Sequence, residues 1–438
     1  MDLIVAWVVF PGALAALALG CGLLVGRVAG TAFPRALLPA AGLALMIVVA
    51  AFFTLADGTA ELAAPAVVAL ALAGLVLGRH SLAGPSRWPL LAAGGVFAVY
   101  AAPIVLSGEA TFAGYIRLDD TATWLALTDR VLEHGRDLDG LAPSTYEATL
   151  AFNLGDGYPV GAFLPLGLVG GLLGEDVAWL IQPYMAALAA LLALALWSLA
   201  RPLVASAPLR AGIAFIAAQS ALLFGYYLWG GVKELAAAML IASVAACLAG
   251  AVAARFEPRA LLAPSLFAAA LAAVLSAGGL IWLAPMLGLA GALAVRRLAP
   301  RVAGARLALL AGVVALLALP ALTTGGVLPP TASPLTDADA RGNLIGSLEP
   351  AQLAGVWPAG DFRLEPVTAL PAEALVARSQ VRVAIGERVR PDHSARQHPG
   401  ERPRREREAT RRERGDREPR RERHRRCRRR QRLRVDPG

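Results

Sequence analysis

Asp119 and Asp120 stand side by side in Gly-Tyr-Ile-Arg-Leu-Asp-Asp-Thr-Ala-Thr-Trp, where the first sizeable polar stretch of an otherwise apolar chain begins. One carboxylate of such a doublet can accept a proton from a hydroxyl while its neighbour orients that group or holds a divalent metal. The same residues also suit a helix start, with Asp119 as the cap and Asp120 at the positive end of the helix dipole. The two roles are compatible. From Asp119 onward the pattern predicts a helix with Leu125 and Leu132 on its apolar face and Gly135 as its stop.

The elements that must position this doublet are membrane spans. Hydrophobic residues make up 57% of the 438 and the mean hydropathy is +0.58, against an apolar share of about 45–50% in soluble domains. Runs long enough to cross a bilayer occur at 3–25, 36–56, 62–78, 88–106, 177–200, 211–229, 235–254, 260–276, 279–295 and 307–323. A shorter apolar stretch, 158–173, is broken by Pro159, Gly161, Pro165 and Gly167 and reads as re-entrant or interfacial. The expected fold is all-α, a polytopic transmembrane helix bundle. The first span has Asp2 as its flanking charge, which argues against a cleaved signal peptide. Three cysteines, Cys21, Cys247 and Cys427, offer neither a disulfide framework nor a metal cluster.

Arginines mark alternate joints between the spans: Arg27 with Arg35, Arg79 with Arg87, Arg201 with Arg210, Arg255 with Arg259, and the group from Arg296 to Arg306. Short basic loops stay in the cytoplasm. Asp57 with Glu61, the acidic segment 109–156, Lys233 with Glu234, and everything after 323 therefore face outward, provided that 158–173 does not cross. The expected protein is a multi-pass membrane protein with its polar chemistry on the extracytoplasmic face. Its parts are a four-span region (1–107), an outer loop with the acidic doublet (108–176), a six-span region (177–324), a second outer loop rich in Pro and Gly (325–376) and an Arg-rich tail (377–438). The spans hold almost no Asp, Glu, Lys or Arg, which argues against ion or proton transport.

The formal charge of +9 is not spread evenly. Residues to Gly400 include 23 basic and 24 acidic side chains; the remainder includes 18 and 8. The tail's composition is that of a disordered segment. A basic arm for anionic lipid or RNA conflicts with its outward placement, and it lacks the interleaved aromatics that stack on bases, so nucleic acid is not an expected partner. A shift of reading frame near 375–390 in a GC-rich gene accounts for the composition, and the ratio of 40 Arg to one Lys fits such a genome; resequencing would show it.

The stretch Leu-Asp-Asp-Thr-Ala-Thr-Trp-Leu-Ala-Leu-Thr-Asp-Arg-Val-Leu-Glu-His-Gly resembles the acidic motif and amphipathic helix that open the first large outer loop of GT-C superfamily membrane glycosyltransferases. Tyr158-Pro159-Val160-Gly161, and the Leu-rich run through Glu175-Asp176-Val177-Ala178-Trp179, are similar to that superfamily's Tyr-Pro-rich segment and following helix. The likeness covers roughly 88–200, and the other spans by topology alone. It implies a GT-C-like fold and transfer of a sugar from a polyprenyl-phosphate carrier to a glycan, lipid or protein acceptor, with Asp119 and Asp120 as catalytic acids and candidate ligands of a divalent metal. The second position holds Asp where the family more often has Glu. A phosphate leaving group needs nearby positive charge, and topology nominates Arg117, Lys233 and Arg363. Lys233 could equally be a snorkelling residue paired with Glu234, and Arg117 a partner of the doublet. Tyr158 and Trp124 are candidate substrate-binding residues, although with Tyr115, Trp179 and Tyr184 they also suit an interfacial aromatic belt. The loop Gly-Val-Trp-Pro-Ala-Gly-Asp-Phe-Arg, 355–363, resembles loops of large actinobacterial membrane proteins, a likeness of lineage more than of role, and a structural turn is the preferred reading. The opposing class is a non-catalytic membrane protein or a transporter of lipid-linked glycans, for which the acidic loop is architecture only.

Overall fold

The structure, a computed structural model, describes residues 3–30, 33–78, 86–108 and 120–324. Every regular element among them is helical: α1 (Phe10–Ala29), α2 (Leu38–Phe53), α3 (Asp57–Ala60), α4 (Ala63–Gly78), α5 (Arg87–Val105), α6 (Asp120–His134), α7 (Thr145–Gly155), α8 (Leu164–Leu173), α9 (Val177–Ala200), α10 (Ala207–Ala217), α11 (Ala221–Trp229), α12 (Val232–Ala253), α13 (Leu262–Leu275), α14 (Ala284–Arg297), α15 (Pro300–Leu317) and α16 (Leu319–Thr324). Nine helical stretches among the described residues are long and apolar enough to cross a membrane, and the bent pair α10–α11 can supply a tenth crossing. The molecule is a multi-pass helical membrane protein.

Most of these helices are apolar all round, so packing between them is set by shape. In the cluster of α1, α2 and α4, glycines let backbones touch. A Cβ on Gly42 would stand 1.6 Å from the Ala18 carbonyl oxygen, one on Gly22 1.8 Å from that of Leu38, and one on Gly74 1.9 Å from that of Gly20. Close backbone approach is how membrane helices gain dispersion energy where lipid offers no hydrophobic gain. Around this cluster, α9 packs between α5 and α12, and α12 leans on α13. The α9 and α13 spans are 72% buried and the α15 span only 6%, so α15 is peripheral.

The stretch 211–229 is not one straight helix. It breaks after Ala217 and turns by 52° between α10 and α11. Gln219 turns its amide back onto the Phe215 carbonyl (2.8 Å), and the Ala218 carbonyl, freed by the break, accepts the Tyr100 hydroxyl at 2.9 Å. A backbone group at membrane depth must find such a partner. Tyr100, Phe224 and Tyr227 pack ring to ring, with centroids 5.0 to 5.6 Å apart, and fix the bend.

Consecutive spans run antiparallel, so their joints alternate between two ends. At one end Arg27 reaches the Leu77 carbonyl, Arg297 donates to the Val252 carbonyl (3.2 Å) and Arg210 lies over Trp197 at 4.1 Å. At the opposite end lie α3, α6, α7, α8, the first turns of α9 and α12, and α16. The ten residues of α8 extend only about 15 Å, half of a hydrocarbon core of about 30 Å. Both its flanks return to this end: Gly161 donates to Ala273 at the finish of α13 (3.0 Å), and Gly174, at φ 69°, turns the chain into α9.

Candidate functional site

The amphipathic helix α6 lies across the end opposite the arginines. Trp124, Leu127, Thr128 and Val131 recur at helical spacing and are buried. Gly167 of α8 gives Leu132 and Thr128 room; a Cβ there would lie 2.3 Å from Leu132 and 2.6 Å from Thr128. The helix stops at His134, and Gly135 follows at φ 59° with the Thr54 and Ala56 backbone against it. Three ties hold its far end. His134 Nδ1 lies 3.0 Å from Asp57 Oδ1, and both side chains are about half exposed. The Arg130 guanidinium donates to the carbonyls of Asp137 and Asp139. Arg136 Nη2 donates to the Tyr158 carbonyl at 3.1 Å.

Three of the residues nominated by sequence meet at the near end. The Trp124 indole Nε1 donates to the Tyr158 hydroxyl at 2.8 Å, and its ring stacks on Phe163 with centroids 5.7 Å apart. Lys233, on the first turn of α12, places its Nζ 4.1 Å from the centroid of the Tyr158 ring. Gly230, at φ 92°, closes the group: a Cβ there would lie 3.5 Å from the Thr121 hydroxyl and 3.6 Å from Trp124. Lys233 therefore engages an aromatic face, and among the described residues it forms no ion pair with Glu234. Glu234 instead turns toward Gly231, 2.9 Å from where that residue's Cβ would be. Tyr158 contacts two cations, Lys233 through its ring and Arg136 through its carbonyl.

Asp120 is the first residue of α6, in the turn that carries Thr121. Arg117, Asp119 and Arg363, like Tyr115 and the loop 355–363, lie outside the described residues. Among the described residues no group of three or more His, Cys, Asp or Glu converges to hold a metal ion. Tyr184 does not join an interfacial belt: it is fully buried and donates to the Ala162 carbonyl at 2.8 Å.

Two features were missed by sequence reasoning. The first is a cleft of about 500 Å³ between α6, α8, α9 and the start of α4, lined by Glu61, Asp129, Glu133, Glu175 and Asp176. Partial burial, with the charges of Asp176 and Glu133 adding to it, pushes the Asp129 carboxyl up to about 6, although the side chain stays open to solvent on one side. In the sequence, Asp129 and Glu133 at i and i+4 are indistinguishable from any solvated helix face. The second is Arg136, whose burial lowers its pKa; its place after the helix stop gave no signal at all.

Compared with known protein families, curated proteins and solved structures, the chain matches none.

Proposed function

We propose that this chain is a membrane glycosyltransferase of GT-C type, moving a sugar from a polyprenyl-phosphate donor to a glycan, lipid or protein acceptor on the extracytoplasmic side of a bacterial cell membrane. The observation that carries the reading is the junction of Lys233, Tyr158 and Trp124 beside the helix that Asp120 opens. An ammonium on the first turn of one helix, next to the first turn of another, makes a region favourable to a phosphate.

In this reading the acceptor hydroxyl gives its proton to Asp119 or Asp120 as its oxygen attacks the anomeric carbon. The bond from that carbon to the donor's phosphate oxygen breaks, and the electron pair leaves with the phosphate. Lys233 offsets the negative charge that grows there, an interaction stronger in the transition state than in the ground state. The single displacement inverts the anomeric centre. Tyr158 holds Lys233 in place, and Trp124 fixes the Tyr158 ring through its hydroxyl.

The test is sugar transfer from synthetic polyprenyl-phosphate donors by purified wild type beside Asp119→Asn, Asp120→Asn and Lys233→Met. Loss of the general base lowers turnover about 10²- to 10⁴-fold, and loss of the lysine lowers kcat/KM for the donor. Wild-type turnover in both aspartate variants would sink the proposal. Passage of a lipid-linked glycan across a reconstituted bilayer, without transfer, would establish the transporter reading in its place.

A further inference from the structure

Arg136 carries a second, separate signal. Its Nη2 is engaged by the Tyr158 carbonyl, but its Nη1 is buried with no hydrogen-bond partner. The ion pair among the described residues is His134 with Asp57, so among those residues no carboxylate compensates the guanidinium. Arg136 as a whole is half-buried, but a guanidinium nitrogen taken out of water without a partner is costly, and an anion at the cleft would offset that cost.

The guanidinium lines a cleft between the end of α2, the 157–161 turn, the end of α13 and α16. The cleft holds about 360 Å³ counting its mouth, but it is narrow, leaving water-sized groups only about 20 Å³ to move in. That is room for a single oxygen-sized group in its depth. Thr54, Thr324 and Ser276 also line it; the hydroxyls of Thr54 and Thr324 already donate to the Ala50 and Pro320 carbonyls, which leaves Ser276 as the further donor. Ser276 is also strained: at φ 60° and ψ −176° it adopts a backbone conformation that is essentially glycine's alone. A serine kept where glycine would be relaxed, facing the same cleft as an uncompensated arginine, is a second and independent mark of a site.

We propose that this cleft binds a phosphate-type oxyanion, with one oxygen received by Arg136 Nη1 and the Ser276 hydroxyl contributing a further donor. The site lies on the carbonyl side of Tyr158, whereas Lys233 lies on its ring. It does not depend on glycosyl transfer, because binding alone is claimed. The oxyanion belongs either to a free phosphate or to a lipid headgroup.

The experiment uses the purified full chain as wild type, Arg136→Gln and Ser276→Gly. In detergent, phosphorus NMR line broadening of inorganic phosphate is titrated at constant ionic strength. In vesicles, the unfolding temperature is compared between phosphatidylcholine alone and phosphatidylcholine with phosphatidic acid. Saturable broadening in wild type that weakens about tenfold or more in Arg136→Gln assigns a free-phosphate site. A rise in unfolding temperature with phosphatidic acid, present in wild type and absent in Arg136→Gln, assigns a headgroup site. Ser276→Gly relieves the strained backbone and so folds at least as well as wild type; should Arg136→Gln not fold, a severalfold loss of affinity in Ser276→Gly supports the site. Equal responses in wild type and every folded variant, or no response to either ligand, would show that water alone meets the guanidinium and overturn the proposal.

Discussion

Replacing Tyr158 in two steps separates what its hydroxyl does from what its ring does. Tyr158→Phe keeps the ring under Lys233 and the carbonyl that Arg136 uses, but it removes the acceptor of the Trp124 indole, which is only 8% exposed. A donor left unsatisfied in such a place costs about 1–3 kcal/mol. Tyr158→Leu removes the aromatic face as well, and with it a cation–π contact at 4.1 Å. Lys233 is half-buried, so that contact contributes about 0.5–1 kcal/mol, short of the roughly 2 kcal/mol of a fully desolvated pair. The term is isolated by a double-mutant cycle of Tyr158→Leu with Lys233→Met, read by reversible unfolding in mixed micelles. The expected coupling is about 0.5–1 kcal/mol, with Lys233→Met mattering less once the ring is gone. A coupling indistinguishable from zero, with Tyr158→Phe and Tyr158→Leu equally stable, would refute the claim that Tyr158 positions the lysine.

Two further outcomes test the scaffold and the electrostatics. Gly42→Val drives a side chain into the Ala18 carbonyl, 1.6 Å from its first carbon, and should cost about 3 kcal/mol or more of stability, whereas Gly12→Ala, which meets nothing within 4 Å, should leave unfolding unchanged; equal behaviour of the two would exclude backbone contact between α1 and α2. Asp129, raised from 3.8 to about 6, binds more protons folded than unfolded between those values, so its contribution to stability is full below pH 4 and is lost as pH rises toward 6. Solvent on its open side keeps the effect small, and Asp129→Asn should remove it and raise the unfolding temperature at pH 7; a variant that retains the wild-type pH dependence over this range assigns it to another group.

The end of the bundle that carries α6 could be read from composition, because the sign of charge alternates from joint to joint and consecutive spans must reverse direction. Asp120 as the opening of a helix and Gly135 as its stop were equally legible, since caps and stops are local. The pairing of Lys233 was not. Glu234 is its neighbour in the chain, yet Lys233 settles on Tyr158 because the start of α12 is packed beside the 157–161 turn. Arg136 was invisible for a related reason: its cleft is assembled from α2, α13 and α16, and no pattern around residue 136 announces those neighbours.

Hydropathy by itself determined that the chain spans a membrane, roughly how often, and which segments are too short or too broken to cross, because those properties depend on runs of neighbouring residues. Only the tertiary structure decided which spans lie side by side. The span helices here are rich in Ala and Leu on every face, so many arrangements would bury them equally well. Contacts such as Trp124 with Tyr158, 34 residues apart, and Tyr100 with Ala218, 118 apart, arise from where glycines admit close backbones and where freed carbonyls demand donors.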